Sequence, residues 1–139
     1  MKFIDANVFL RLVTTPVTDN DIHSLRRCLI FFQRLEAGEF EATTSEVVIH
    51  EVFHILCSTR NYGLAHPDAA ERMMPVLSLR LLHVPQRRLV MRAVELFRDY
   101  SFLDFSDALS IAYCEAEGHD LISFDRDIDR VSVANRSEP

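Results

Sequence analysis

Four carboxylates stand where carboxylates could do chemistry: Asp5, Glu51, Asp107 and Asp125. Asp5 ends a short apolar run, Phe3-Ile4, and Asp125 directly follows another, Leu121-Ile122-Ser123-Phe124. Both runs read as strands, and in open parallel sheets ligands gather at the carboxyl ends of strands. Glu51 lies inside a helical stretch with Val47 and Ile55 at i−4 and i+4, which places it near the edge of the apolar stripe, where an unpaired carboxylate is costly. Asp107 opens a helix, a place that favours negative charge whether or not it carries chemistry, and Asp125 suits a turn equally well. Taken singly, each of these two has an ordinary structural explanation. Taken together, four carboxylates would repel one another and push their pKa values up unless a divalent cation neutralised them. Hard oxygen donors select Mg2+ or Mn2+, and such ions lower the pKa of a bound water and aim it at a phosphodiester.

A second motif overlaps the first. His50-Glu51-Val52-Phe53-His54 is a literal H-E-x-x-H, which on a helix would present two imidazoles to zinc and make Glu51 the general base of a metalloprotease. The third-ligand position of the longer zinc motif holds Arg60, its glycine position holds Cys57, and a glutamate ligand would have to be Glu71, beyond a Gly-Pro break. This reading also leaves Asp5, Asp107 and Asp125 without a purpose. The other histidines, His23, His66, His83 and His119, are scattered.

The elements that must position the four acids alternate between strand and helix. The pattern predicts strands at 2–5, 40–43, 81–84 and 120–124, and helices at 7–13, 21–37, 43–59, 67–79, 87–100 and 107–117. Thr43 and Glu46 have the spacing of a capping box, Pro67 suits a first helical position, Ser106 can cap the helix of Asp107, and Gly38 and Gly118 suit helix ends. Strands alternating with helices predict an α/β sandwich with a parallel sheet. With 139 residues, 48% of them hydrophobic, the chain can bury one sizeable core and is expected to form a single domain, 1–139.

Composition narrows the partners. No stretch approaches the ~18 to 20 apolar residues of a membrane span, and an acid at position 5 interrupts any signal-like run, so a cytoplasmic location is expected. Cys28, Cys57 and Cys114 are odd in number, far apart and set in apolar segments, as expected of reduced core thiols. A net charge of −6 excludes holding nucleic acid by bulk positive charge, so any such contact must be local. Arginine outnumbers lysine 14 to 1, favouring bidentate phosphate contacts, and Arg87, Arg88 and Arg92 could line a basic helix edge, although a solvated face explains them as well. Leu29-Ile30-Phe31-Phe32 and Met73-Met74 exceed what one helix face needs and suggest an interface.

The sequence blocks around the acids resemble the PIN-domain family, including the VapC-type toxin ribonucleases of toxin–antitoxin pairs. The matching blocks are Phe3-Ile4-Asp5-Ala6-Asn7-Val8-Phe9-Leu10, Ser45-Glu46-Val47-Val48-Ile49-His50-Glu51-Val52-Phe53, Phe105-Ser106-Asp107-Ala108-Leu109-Ser110-Ile111-Ala112 and Leu121-Ile122-Ser123-Phe124-Asp125-Arg126-Asp127. They cover essentially the whole chain in family order. Two departures are that Ser123 stands where threonine is usual and that His50 precedes the glutamate. The resemblance implies a three-layer sandwich with a central parallel sheet flanked by helices. It implies a Mg2+- or Mn2+-dependent endoribonuclease acting on single-stranded or loop RNA, with Asp5, Glu51, Asp107 and Asp125 as metal ligands. Asn7 and Ser123 would orient them, and Asp127 would be a further or water-mediated ligand. It also implies a homodimer and an antitoxin protein as partners. The alternatives are the zinc metalloprotease and a PIN-like module that binds without catalysis; the intact set of acids speaks against the latter.

Overall fold

The computed structural model describes all residues, 1–139. In chain order the elements are β1 (Lys2–Phe3), α1 (Ala6–Val13), α2 (Asp19–Glu36), β2 (Ala42–Thr43), α3 (Glu46–Cys57), α4 (His66–Leu77), β3 (Leu82–His83), α5 (Arg87–Asp99), α6 (Phe105–Glu117), β4 (Leu121–Ile122), a 3-10 turn (Arg126–Arg130) and β5 (Arg136–Ser137). All strand pairing is parallel. Lys2 and Phe3 face Ala42 and Thr43, which in turn face Leu82 and His83, while Leu121 and Ile122 face Arg136 and Ser137. The β-structure therefore lies in two pieces, β1-β2-β3 and β4-β5, among the helices of an α/β sandwich. The paired strands are shorter than the apolar runs predict; Ile4, which still donates to the Thr43 carbonyl, and Val84 are buried just past the assigned strand ends.

Helix starts follow local chemistry. At α2 the Thr18 hydroxyl accepts from the Asp21 N–H while the Asp21 carboxylate accepts from the Thr18 N–H, a reciprocal capping box. At α3 the cap is Ser45, whose hydroxyl accepts from the Val48 N–H. The expected Thr43 cap is instead a strand residue whose hydroxyl donates to the His83 carbonyl at 2.8 Å. At α6 the helix begins two residues earlier than expected, capped by Asp104 and not by Ser106, so that the buried Phe105 is its first residue. Gly118 closes α6 at φ 68°, in the left-handed region that favours glycine.

One cluster of 30 buried hydrophobic residues runs through these elements. From α3 it takes Val48, Ile49, Val52, Phe53 and Leu56, whose spacing sets the buried face of that helix. Val47 lies off this face at 76% exposure, so the i−4 argument for Glu51 fails and Glu51 is solvent-facing. Met73 is wholly buried and Met74 packs against the cluster, so this pair belongs to the core; Leu29 and Ile30 stay exposed on α2. The cysteines are free but only half-buried, and of the three Cys57 alone packs against the apolar cluster, which corrects the expectation of core thiols. No helix is long and apolar enough to cross a membrane.

Candidate functional site

Asp5 follows β1 and occupies the N-cap of α1. The backbone just before it is fixed from two sides: the Ile4 N–H donates to the Thr43 carbonyl at 2.8 Å, and the buried Thr44 hydroxyl donates to the Ile4 carbonyl at 3.0 Å; the Asp5 carbonyl itself accepts from the Val8 N–H at 3.2 Å. Its carboxylate makes no capping hydrogen bond to the helix it precedes. An N-cap aspartate ordinarily accepts from the N–H of the second or third helical residue. Asp5 is thus held in place through the backbone before it with its side chain uncommitted, and Asn7 is exposed at the second position of the same helix. Glu51 is likewise exposed, midway along α3, and makes no hydrogen bond or ion pair.

The helix α3 packs against both α1 and α6, and this brings the remaining acids toward its His50. Asp104 caps α6: its Oδ1 accepts from the Asp107 N–H and from the Ser106 hydroxyl, each at 2.8 Å. Burial pushes the Asp104 carboxyl up, but these hydrogen bonds and the charge of His50 together hold it below the usual carboxylate range. Asp107, half-buried, goes the other way. Burial raises it first, the Asp104 charge adds to that, and Asp125 contributes a smaller repulsion. Asp107 therefore feels the charges of both Asp104 and Asp125, and Asp104 that of His50.

Asp125 is exposed and also has a structural task, its Oδ1 accepting from the Asp127 N–H at 3.0 Å to start the 3-10 turn. Ser123 shapes this turn, because its hydroxyl accepts from the Asp125 N–H at 3.0 Å. Asp127 points to Arg130 at 3.9 Å, an exposed pair of little energetic weight. Asp104 is the residue of this cluster that the sequence reading lacks, although an acid three residues before Asp107 has cap spacing. His50 enters that reading as half of a zinc motif and as the departure from the family block beside Glu51.

The four expected ligands are not drawn into a ready-made cage: no three His, Cys, Asp or Glu side chains converge closely enough to hold a metal ion. The donor chemistry nevertheless fits a hard divalent cation. Burial is the main cause of the raised Asp107, but the repulsion from Asp104 and Asp125 that adds to it is what such an ion relieves, and every acid in the cluster offers oxygen. For zinc, the rings of His50 and His54 lie nearly parallel with centroids 6.3 Å apart, and no third donor joins them. The buried His50 Nδ1 has no hydrogen-bond partner.

The expected basic edge on α5 is spent on structure. Arg87 donates to the carbonyls of Leu79 and Leu82, closing the chain before α5, and Arg92 forms a two-pronged pair with Glu115 on α6 at 2.8 and 3.1 Å as well as a bond to Glu95. A guanidinium so occupied is not free for phosphate, which leaves Arg88 alone on that edge.

No curated protein matches the chain. The family model described as PIN domain matches residues 2–134, a span that contains every acid discussed above. The chain therefore belongs to the PIN-domain family, whose members are nucleases that act on RNA and generally use divalent metal ions.

Proposed function

We propose that this protein is a metal-dependent endoribonuclease, built as one domain, that hydrolyses RNA phosphodiester bonds at Asp5, Glu51, Asp107 and Asp125. The observation that carries the reading is the uncommitted carboxylate of Asp5, fixed by its backbone at the end of β1 and released from the capping task its position would normally impose. Asp5, Glu51, Asp107 and Asp125 would hold Mg2+ or Mn2+, with Asp127 as a further or water-mediated ligand. When bound, such an ion supplies an activated water and stabilises charge on the departing 3'-oxygen. Asp104 keeps the start of α6 rigid and so fixes where Asp107 points. Ser123 does the same for Asp125 through its backbone, and Asn7 stands beside Asp5 to orient it.

The family blocks around these acids support a VapC-type toxin paired with an antitoxin, acting as a homodimer. The exposed Leu29 and Ile30 of α2, at 43% and 56%, support a protein partner on that face. The test is incubation of structured RNA with the protein in Mg2+, Mn2+ or EDTA, beside Asp5→Asn and Asp107→Asn. Cutting in either metal that stops in EDTA and in both variants is expected. Undiminished cutting by both variants would sink the assignment.

A further inference from the structure

A groove of about 590 Å³ opens along β1, α1 and α2, a size within the ~300–1,000 Å³ of small-ligand sites. Its chemistry differs from that of the rest of the chain. The protein carries 21 acidic against 15 basic residues, yet the groove is lined by Lys2, Arg11 and Arg27 and by no carboxylate. Arg11 is neutralised by Asp21. Lys2 and Arg27 have no acidic partner, and the Lys2 ammonium is steadied 5.3 Å from the centre of the Phe40 ring. Beside them Phe3 is 61% exposed, an unusual place for a large aromatic side chain on a short strand, and Phe31 packs against Phe40 at a centroid distance of 4.9 Å. The groove also runs up to the proposed reaction site, since Ile4 and Asn7, on either side of the Asp5–Ala6 step, both line it.

We propose that this groove binds the nucleotide adjoining the scissile phosphate of a single-stranded RNA, a proposal that rests on the ribonuclease reading above. Two cations without acidic partners offer phosphate contacts, and an exposed aromatic ring offers a stacking face that any base can use. Continuity with Asp5 sets the direction: a strand whose phosphate lies at Asp5 continues onto α1 and into the groove. The acidic chain gains local affinity for an anion without a basic surface elsewhere. Lys2 and Arg27 select for phosphate, and Phe3 selects for an unpaired base over a stacked duplex.

The experiment measures anisotropy of a fluorescein-labelled single-stranded RNA 12-mer in EDTA, where cutting is off, across a salt series, for wild type, Lys2→Ala/Arg27→Ala, Arg27→Ala, Phe3→Ala and the remote Arg60→Ala. The double variant is expected to raise Kd by about tenfold or more and to flatten the salt slope by about 1.4, or ~0.7 per lost phosphate contact; Arg27→Ala carries half of that slope change. Phe3→Ala is expected to weaken binding by up to about tenfold with the slope unchanged, and Arg60→Ala to match wild type. Wild-type affinity and slope in both cation variants overturn the groove proposal and leave the groove to an acidic peptide. Cleavage by wild type in Mg2+, run in parallel, tests the ribonuclease reading separately. If wild type cuts and the groove variants bind like it, only the groove assignment falls; if wild type neither cuts nor binds RNA, the nuclease reading falls and the groove with it.

Discussion

Two helices begin on an aspartate and use it in different ways. At α6, Asp104 closes the first turn, accepting from the Asp107 N–H and the Ser106 hydroxyl. At α1, Asp5 sits in the same N-cap position with the same extended backbone and makes no such bond. Position in the sequence does not separate these acids, since each precedes an apolar helical run. The hydrogen bond does. An acid that caps has a structural reason to be there, whereas one that does not must be explained otherwise.

The largest difference between them should appear on removal. Asp5→Ala is expected to leave the melting temperature in EDTA unchanged, because no capping bond is lost, while lowering RNA cleavage by at least ~100-fold, the effect of deleting a group that stabilises reacting charge. Added Mg2+ should raise the melting temperature of wild type and not that of the variant. A variant that melts several degrees lower in EDTA would show that Asp5 supports α1 after all and would erase the contrast.

Asp104 should behave in the opposite sense. Asp104→Ala removes a cap and is expected to cost about 1 kcal/mol, a fall of roughly 3–5 °C in a chain of this size. Asp104→Asn keeps the cap, since asparagine serves as well there, and loses only what the charge adds, so at neutral pH it should melt between Asp104→Ala and wild type. Thermal melts of the two variants decide whether the cap or the charge matters for stability.

The contrast between the two helices explains what could be read without coordinates. The middle of each helix was legible, because apolar residues such as Val48, Val52 and Phe53 repeat at helical spacing over several turns. The acids Asp5 and Asp125 were legible as strand-end residues for the same reason. Whether an acid is spent or free depends on one hydrogen bond and leaves no trace in the pattern. Asp104 has cap spacing in the sequence, but Ser106 is an equally good cap by type and hides it. Glu51 was misplaced because Val47 counts as apolar in a pattern whether or not it is buried. The strand β5, Arg136–Ser137, has no strand signature and is held from outside by Arg136, which bonds the Asp129 carboxylate and the Ser123 carbonyl. Arg87 and Arg92 looked free because their carbonyl and carboxylate partners come from other elements.

A third helix start, at α2, extends the comparison to pH. The Asp21 carboxyl is held below its ordinary value first by the N–H groups of Val17 and Thr18; burial opposes them, and the charge and hydrogen bond of Arg11 add to the lowering. Because the folded value lies lower, the ionised form favours folding. That contribution is complete above the unfolded pKa of ~3.9 and is lost as pH falls through the folded value. Wild type should therefore melt above Asp21→Asn at pH 5 to 7, and the gap should close on acidification below about pH 3.9. A gap that persists unchanged into strong acid would mean that the capping geometry alone, without the charge, accounts for Asp21.

The smallest effect concerns α5, whose N-cap, Gln86, is the only non-glycine residue at positive φ, 46°, and makes no capping bond. Glutamine meets two penalties there: its Cβ is crowded in the left-handed region, and its long side chain does not reach the first-turn N–H groups. Asparagine tolerates that backbone and is among the best capping residues, so Gln86→Asn should stabilise the fold by up to ~1 kcal/mol. Gln86→Gly would relieve the crowding but enlarge the entropy of the unfolded chain, and should gain less. Denaturant midpoints that rank asparagine above glycine, and glycine at or above glutamine, are expected. Destabilisation by asparagine would show that Gln86 is held by contacts of its own, and the helix starts would then have to be sorted by more than their capping bonds.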